Sequence, residues 1–146
     1  MTPEQDKHLC EKYPKIFRGR NGSSTETCMT WGFECGSGWF DIIDVLCQEI
    51  QSHIDRKSIG LEEEDKQYLQ VIASQVKEKY GELRFYYSGG DETIDDLVSM
   101  AEQLSLRTCE TCGNPGKRHG EGWIITLCDP CAEERRTQKI TQRYLK

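Results

Sequence analysis

Cys109-Glu-Thr-Cys112, then fifteen residues, then Cys128-Asp-Pro-Cys131 is the stretch on which the reading of this chain turns. Two Cys-x-x-Cys pairs at this separation predict one tetrahedral zinc site with four thiolate ligands. Each pair fits a tight turn in which two thiolates converge on one ion, and the intervening residues allow a short excursion out and back. Four protein ligands close the coordination sphere, whereas catalytic zinc usually keeps three plus a water. The stretch therefore reads as a structural zinc ribbon with Cys109, Cys112, Cys128 and Cys131 as ligands. Between the pairs, Asn114-Pro115-Gly116 is a turn, and Trp123, Ile125 and Leu127 alternate as a strand that delivers Cys128 to the metal. His119 reads as an exposed loop histidine, with a spare ligand as the alternative.

After the second pair, Ala132 to Lys146 reads as a basic helical tail. Residues 107–146 carry 8 Lys and Arg against 5 Asp and Glu, a net +3, whereas residues 1–106 carry 11 against 20, a net −9. A net charge of −6 does not fit a general nucleic-acid binder, which presents a dense cationic surface to phosphates. Arg118, Arg135, Arg136, Lys139 and Arg143 keep local nucleic-acid contact open.

With 146 residues, the chain fits one domain, or an α+β body at 1–106 and a zinc ribbon with its tail at 107–146, packed as one unit. A hydrophobic content of 36% against 30% charged residues describes a soluble globular protein on the polar side. No apolar run approaches the ~20 residues of a bilayer span. The first ten residues lack the apolar core of a secretory signal. These features predict a cytoplasmic protein with no membrane partner. Eight cysteines in that setting point to metal before disulfides. Cys10, Cys28, Cys35 and Cys47 read as buried or partly buried thiols, with a second, weaker metal site as the alternative.

Upstream, Thr2 caps a helix that has Pro3 in its first turn, Gln5 completing a capping box, and Pro14 ending it. Ile16 and Phe17 are expected to pack beneath it. Met29, Trp31 and Phe33 alternate as a short strand. Ser37 or Gly38 sits near the N-cap of an amphipathic helix over residues 39–54, marked by Trp39, Ile42, Ile43, Leu46, Ile50 and Ile54. A second helix is expected over residues 61–80, from an acidic start and the stripe Leu69, Ile72, Val76 and Tyr80, with Gly81 closing it. Glu82–Tyr87 is the clearest strand, with Leu83, Phe85 and Tyr87 on one face and Arg84 and Tyr86 on the other. Asp91 or Thr93 caps a helix with Ile94, Leu97, Val98, Ala101 and Leu104 on its buried face. The sum is an α+β fold: about four helices, a small β-sheet and a C-terminal zinc ribbon.

Catalytic signals are sparse. Asp41 and Asp44 share a helix face, but they and the acidic clusters at 62–65 and 95–96 read as solvated surface. Cys35 beside Gly36 lacks a histidine partner in its neighbourhood. No P-loop, dinucleotide glycine motif or Ser/His/Asp order occurs, so the chain is expected not to be an enzyme. Two binding readings compete with plain structure. Trp31, Phe33 and Trp39, interleaved with glycines, are core residues or a partner-binding lip. Arg84 and Tyr86, with Gly89 and Gly90 ahead of a helix, are an outer strand face or a grip for a nucleotide signal.

Gln75-Val-Lys-Glu-Lys-Tyr-Gly-Glu-Leu-Arg-Phe-Tyr-Tyr87, followed by Gly89-Gly90-Asp91, resembles a segment in a family of small uncharacterised bacteriophage and prophage proteins. Gly32 to Trp39, Cys109 to Gly116 and Gly122 to Cys128 resemble its other signatures, and the likeness covers roughly residues 28–134. Some relatives place His where this chain has Cys131; either residue ligates zinc. The resemblance implies a phage accessory protein in the host cytoplasm that binds a host or anti-phage defence protein. The alternatives are a nucleic-acid-binding zinc-ribbon adaptor and a nucleotide-signal sponge.

Overall fold

The computed structural model describes residues 1–144; Leu145 and Lys146, the end of the expected tail, lie outside the described residues. The first helix, α1 (Pro3–Lys12), begins as its sequence dictates: Thr2 accepts from the Gln5 amide, and Gln5 returns a bond to the Thr2 amide. Ile16 and Phe17 follow and are buried. Lys12 (2.9 Å) and Tyr13 (2.7 Å) both donate to Asp44, tying α1 to α2 (Phe40–Lys57).

Residues 28–31 form a 3-10 turn rather than the expected strand. The Thr27 hydroxyl accepts from the Met29 amide (3.1 Å), and the Gly32 amide donates to the Met29 carbonyl (2.9 Å), with Gly32 at φ +74°. This turn buries Met29 and leaves Trp31 70% exposed, so the apparent alternation does not survive. Pairing starts only at β1 (Phe33–Glu34). Another 3-10 turn, Ser37–Trp39, feeds α2, which runs three residues past its expected end.

The expected helix over 61–80 is instead a short helix, α3 (Glu63–Leu69), followed by β2 (Ile72–Lys79). β2 pairs antiparallel with β3 (Glu82–Ser88) and parallel with β1, giving the sheet order β1-β2-β3. A register irregularity between Ala73 and Gln75 switches which residues face inward, so Ala73 and Val76 are both buried at a spacing of three. Of the expected helical stripe, Leu69 and Val76 are buried, Ile72 is half-buried and Tyr80 is exposed in the turn after β2. Tyr80 (φ 55°) and Gly81 (φ 78°) form a two-residue hairpin, in which positive φ at both positions matches the twist of the strands. Gly81 is thus left-handed, as expected, but it turns a hairpin instead of ending a helix.

The core joins Leu9, Ile16, Phe17, Met29, Trp39, Ile43 and Ile50 to Val71, Val76, Leu83, Phe85 and Ile94. On its far side, α4 (Glu92–Ser105) packs on β3 and α2. Its side chains also take up two amides on the free edge of β3: Ser105 Oγ accepts from the Leu83 amide (2.9 Å) and Glu102 from the Phe85 amide (3.1 Å). Leu104, expected in the core, is half exposed. Among the described residues, five α-helices, this sheet and a C-terminal two-stranded sheet make an α+β fold. Among the described residues, no helix is long and apolar enough to cross a membrane.

Asp91 caps α4, accepting from the Ile94 amide (3.2 Å), His53 (2.9 Å) and Lys57 (2.6 Å). Burial by itself would raise this carboxyl; the bonds from His53, Lys57 and the Ile94 amide outweigh it and hold Asp91 well below the usual carboxylate range. A depressed folded value stabilises the native state above the unfolded pKa, near 3.9, and the contribution is lost as pH falls below that. Asp91→Asn keeps a good cap but loses the charge, so it is expected to cost about 1–2 kcal/mol at pH 7. Chemical denaturation of both proteins should show a gap at about pH 5 that narrows below about pH 4. A gap unchanged in acid would count against this account.

Candidate metal centre

The first cysteine pair follows α4 almost directly. The Cys109 carbonyl accepts from the Gly113 amide (2.9 Å), closing the turn, and Gly113 takes φ +81°. The Cys109 amide donates to the Asn114 carbonyl (2.7 Å), and the Gly116 amide donates to the Arg107 carbonyl (2.8 Å), so the chain doubles back beside its own entrance. It then runs through β4 (Lys117–His119) and returns through the antiparallel β5 (Ile125–Leu127). Cys128 follows at once, and Cys131 lies in the first turn of α5 (Asp129–Tyr144), where helix amides and the macrodipole favour thiolates.

The four sulfur atoms of Cys109, Cys112, Cys128 and Cys131 all lie within 4.8 Å of one another, and the Cys112 and Cys128 sulfurs are 3.6 Å apart. Four sulfurs on a tetrahedral zinc, with bonds of about 2.3 Å, sit about 3.8 Å apart. The group is therefore dimensioned to hold a metal ion. Burial would raise the Cys109 thiol, but amide bonds from Cys128, Cys112 and Thr111 outweigh it and bring the thiol down to about 7. Cys131 moves the other way, pushed up by its hydrogen bond to the Cys128 thiol and by burial. A divalent cation relieves the repulsion that four thiolates would feel in so small a space.

The body grips this module through backbone. The Gly38 amide donates to the Glu110 carbonyl (2.8 Å), the Gly36 amide to the Glu110 carboxylate (3.0 Å), and the Trp39 indole N–H to the Thr108 carbonyl (2.9 Å). A Cβ at Gly38 would overlap the Cys109 carbonyl and lie 2.6 Å from the Gly113 nitrogen, so only glycine fits there. On the other side, buried Thr126 donates to the Gly81 carbonyl (2.6 Å) and Arg118 to the Tyr80 carbonyl (3.0 Å). Sequence reading missed these anchors: Gly36, Gly38 and Trp39 were legible as a loop and a helix start, not as the seat of a metal knuckle.

The other expected site residues scatter. Phe33 and Trp39 are buried and Trp31 alone is exposed, so the three form no common lip. Arg84 is neutralised by Glu82 (2.8 Å) and Glu102 (3.4 Å), while Tyr86 lies half exposed on the strand. A Cβ at Gly89 would overlap the Gln70 carbonyl, and one at Gly90 would crowd Ile94 and Val71, so both glycines answer to packing. The helix start behind them is filled by Asp91, leaving no cradle for a phosphate. Cys35 and Cys47 are buried, Cys10 half-buried and Cys28 exposed. Among the described residues these four form no metal-holding group. His119 is half-buried and donates through Nε2 to the Leu127 carbonyl (3.1 Å), which makes it part of the hairpin. No family model, curated protein or solved structure matches the chain.

Proposed function

We propose that the chain is a zinc protein without catalytic activity that acts by binding a host or anti-phage defence protein. Zinc suits the cluster because four thiolates favour a soft or borderline ion in tetrahedral geometry, and all four positions are taken by protein. Its role is then to brace the fold. The phage setting rests on the sequence resemblance.

The observation that carries the binding reading is an apolar groove of about 280 Å³ between α2 and α4. Val45, Met100 and Leu104 are 49–59% exposed there, beside Ile42 and Leu97. Large apolar side chains gathered on two packed helices mark an interaction surface. Asp41 and Glu49 rim the groove, and residues 1–106 carry a net −9. The fitting occupant is an amphipathic helix of the partner, with an apolar face at i, i+4 and i+7 and Lys or Arg along its flanks.

Capture from host lysate with the parent protein and a Val45→Asp/Met100→Asp variant tests this reading. Both side chains face solvent, so stability should change by less than about 1 kcal/mol while partner recovery falls at least tenfold. Equal recovery by the variant would overturn the groove as the docking surface. Metal analysis should return one zinc per chain.

A further inference from the structure

A second groove, of about 200 Å³, lies on the metal module between the β4–β5 hairpin and α5. Its floor is apolar, formed by Ile125 and Leu127. Trp123 stands at one side, 69% exposed, and Arg135, Arg136 and Lys139 line the other. Among the described residues its lining contains no carboxylate, on a chain whose net charge is −6. Arg136 is partly engaged by Glu133 (3.0 Å), whereas Arg135 and Lys139 make no ion pair among the described residues.

The two freer cations are four residues apart, so they project from one helix face with Cβ atoms about 6 Å apart. A flat aromatic ring open to water, facing paired cations across a narrow apolar floor, matches one ligand chemistry closely. Bases of an unpaired strand stack on the indole, and the phosphates between them meet the guanidinium and ammonium groups. A duplex hides its base faces and would leave the ring unused. An acidic peptide would use the cations alone.

We propose that this groove binds single-stranded nucleic acid, with a base stacked on Trp123 and neighbouring phosphates on Arg135 and Lys139. The site is separate from the α2–α4 groove, and the inference does not depend on the reading given to that groove.

The test is fluorescence anisotropy of labelled dT10 and rU10 with the full zinc-loaded chain at low salt. Binding should weaken at least tenfold in Trp123→Ala and recover in Trp123→Phe, because stacking needs a π-face and not an indole. Trp31→Ala, which removes the other exposed tryptophan, should leave affinity unchanged. Arg135→Ala/Lys139→Ala should reduce the slope of log affinity against log salt by about 1.4, the value for two single-strand phosphate contacts. Preference for rU10 over dT10 would assign RNA, and the reverse DNA; either supports the site. Absence of binding to both, or full binding by a Trp123→Ala protein that retains its zinc, would overturn it. Displacement of the oligonucleotide by polyglutamate with no effect of Trp123→Ala would also overturn it, and would assign an acidic protein ligand instead.

Discussion

Cys112→Ser is expected to unfold the chain from about residue 107 onward while leaving the α2–α4 body folded. The side chain is exposed, so its removal takes nothing from hydrophobic packing; the one function lost is a metal bond. The module cannot stand on its own burial. Its cluster consists of Cys109, Leu127, Cys128 and Ala132, with Ile125 and Cys131 partly covered. A core of that size holds no fold without a staple. Structural zinc supplies on the order of 10–16 kcal/mol in small modules, which far exceeds the apolar contribution available here. Hydrogen exchange should show amides of residues 109–132 losing protection in the variant, with residues 43–54 and 94–101 retaining theirs. A chelator should produce the same pattern in the parent protein, and added zinc should reverse it. A Cys112→Ser protein that keeps full protection without metal would refute the structural role of the cluster.

Trp39→Ala is expected to cost about 3–5 kcal/mol, the range for truncating a fully buried large aromatic. Against a typical total of 5–15 kcal/mol, this is a large share of the stability of the whole chain. The effect should also reach the metal, because the indole holds the carbonyl of Thr108, the residue immediately before Cys109. Trp39→Phe separates the two contributions. It keeps most of the packing and strands the Thr108 carbonyl, at a cost of about 1–3 kcal/mol. Urea denaturation gives the stability change, and competition with a colorimetric chelator gives zinc affinity. Both variants should release zinc more readily than the parent. Unchanged zinc affinity in both would mean that the metal module holds its geometry independently of the body.

The cysteine spacing made the metal cluster legible because two short turns and one hairpin leave four thiols few other places to go. The start of α1 was equally legible, since Thr2, Pro3 and Gln5 satisfy orphan amides locally. What escaped were features decided by distant partners. The spacing of Leu69, Ile72, Val76 and Tyr80 is helical on paper, and only pairing with β3 and an irregularity near Ser74 turn it into strand. The 3-10 turn at Cys28–Trp31 depends on the Thr27 hydroxyl, which also donates to the Ser74 carbonyl (3.2 Å) across the fold. Arg84 looked free because one partner, Glu102, lies 18 residues away on another element, and the other, Glu82, pairs with it from the same strand two residues earlier. Neither groove was readable, since each is the gap between two elements whose packing the sequence does not print.

The capping of β3 by Ser105 and Glu102 has a consequence for how anything else can recognise this molecule. Many peptide-binding domains add a ligand as an extra strand, zipping main chain to main chain along an open margin of the sheet. Here one margin is occupied by side chains of the protein's own α4, and the opposite one, β1, is two residues long. Strand addition to this sheet is thereby disfavoured at both margins, which also guards it against edge-to-edge aggregation. Recognition at this sheet then runs through side chains, so affinity for a ligand there should hinge on a few individual groups and fall sharply when one of them is truncated.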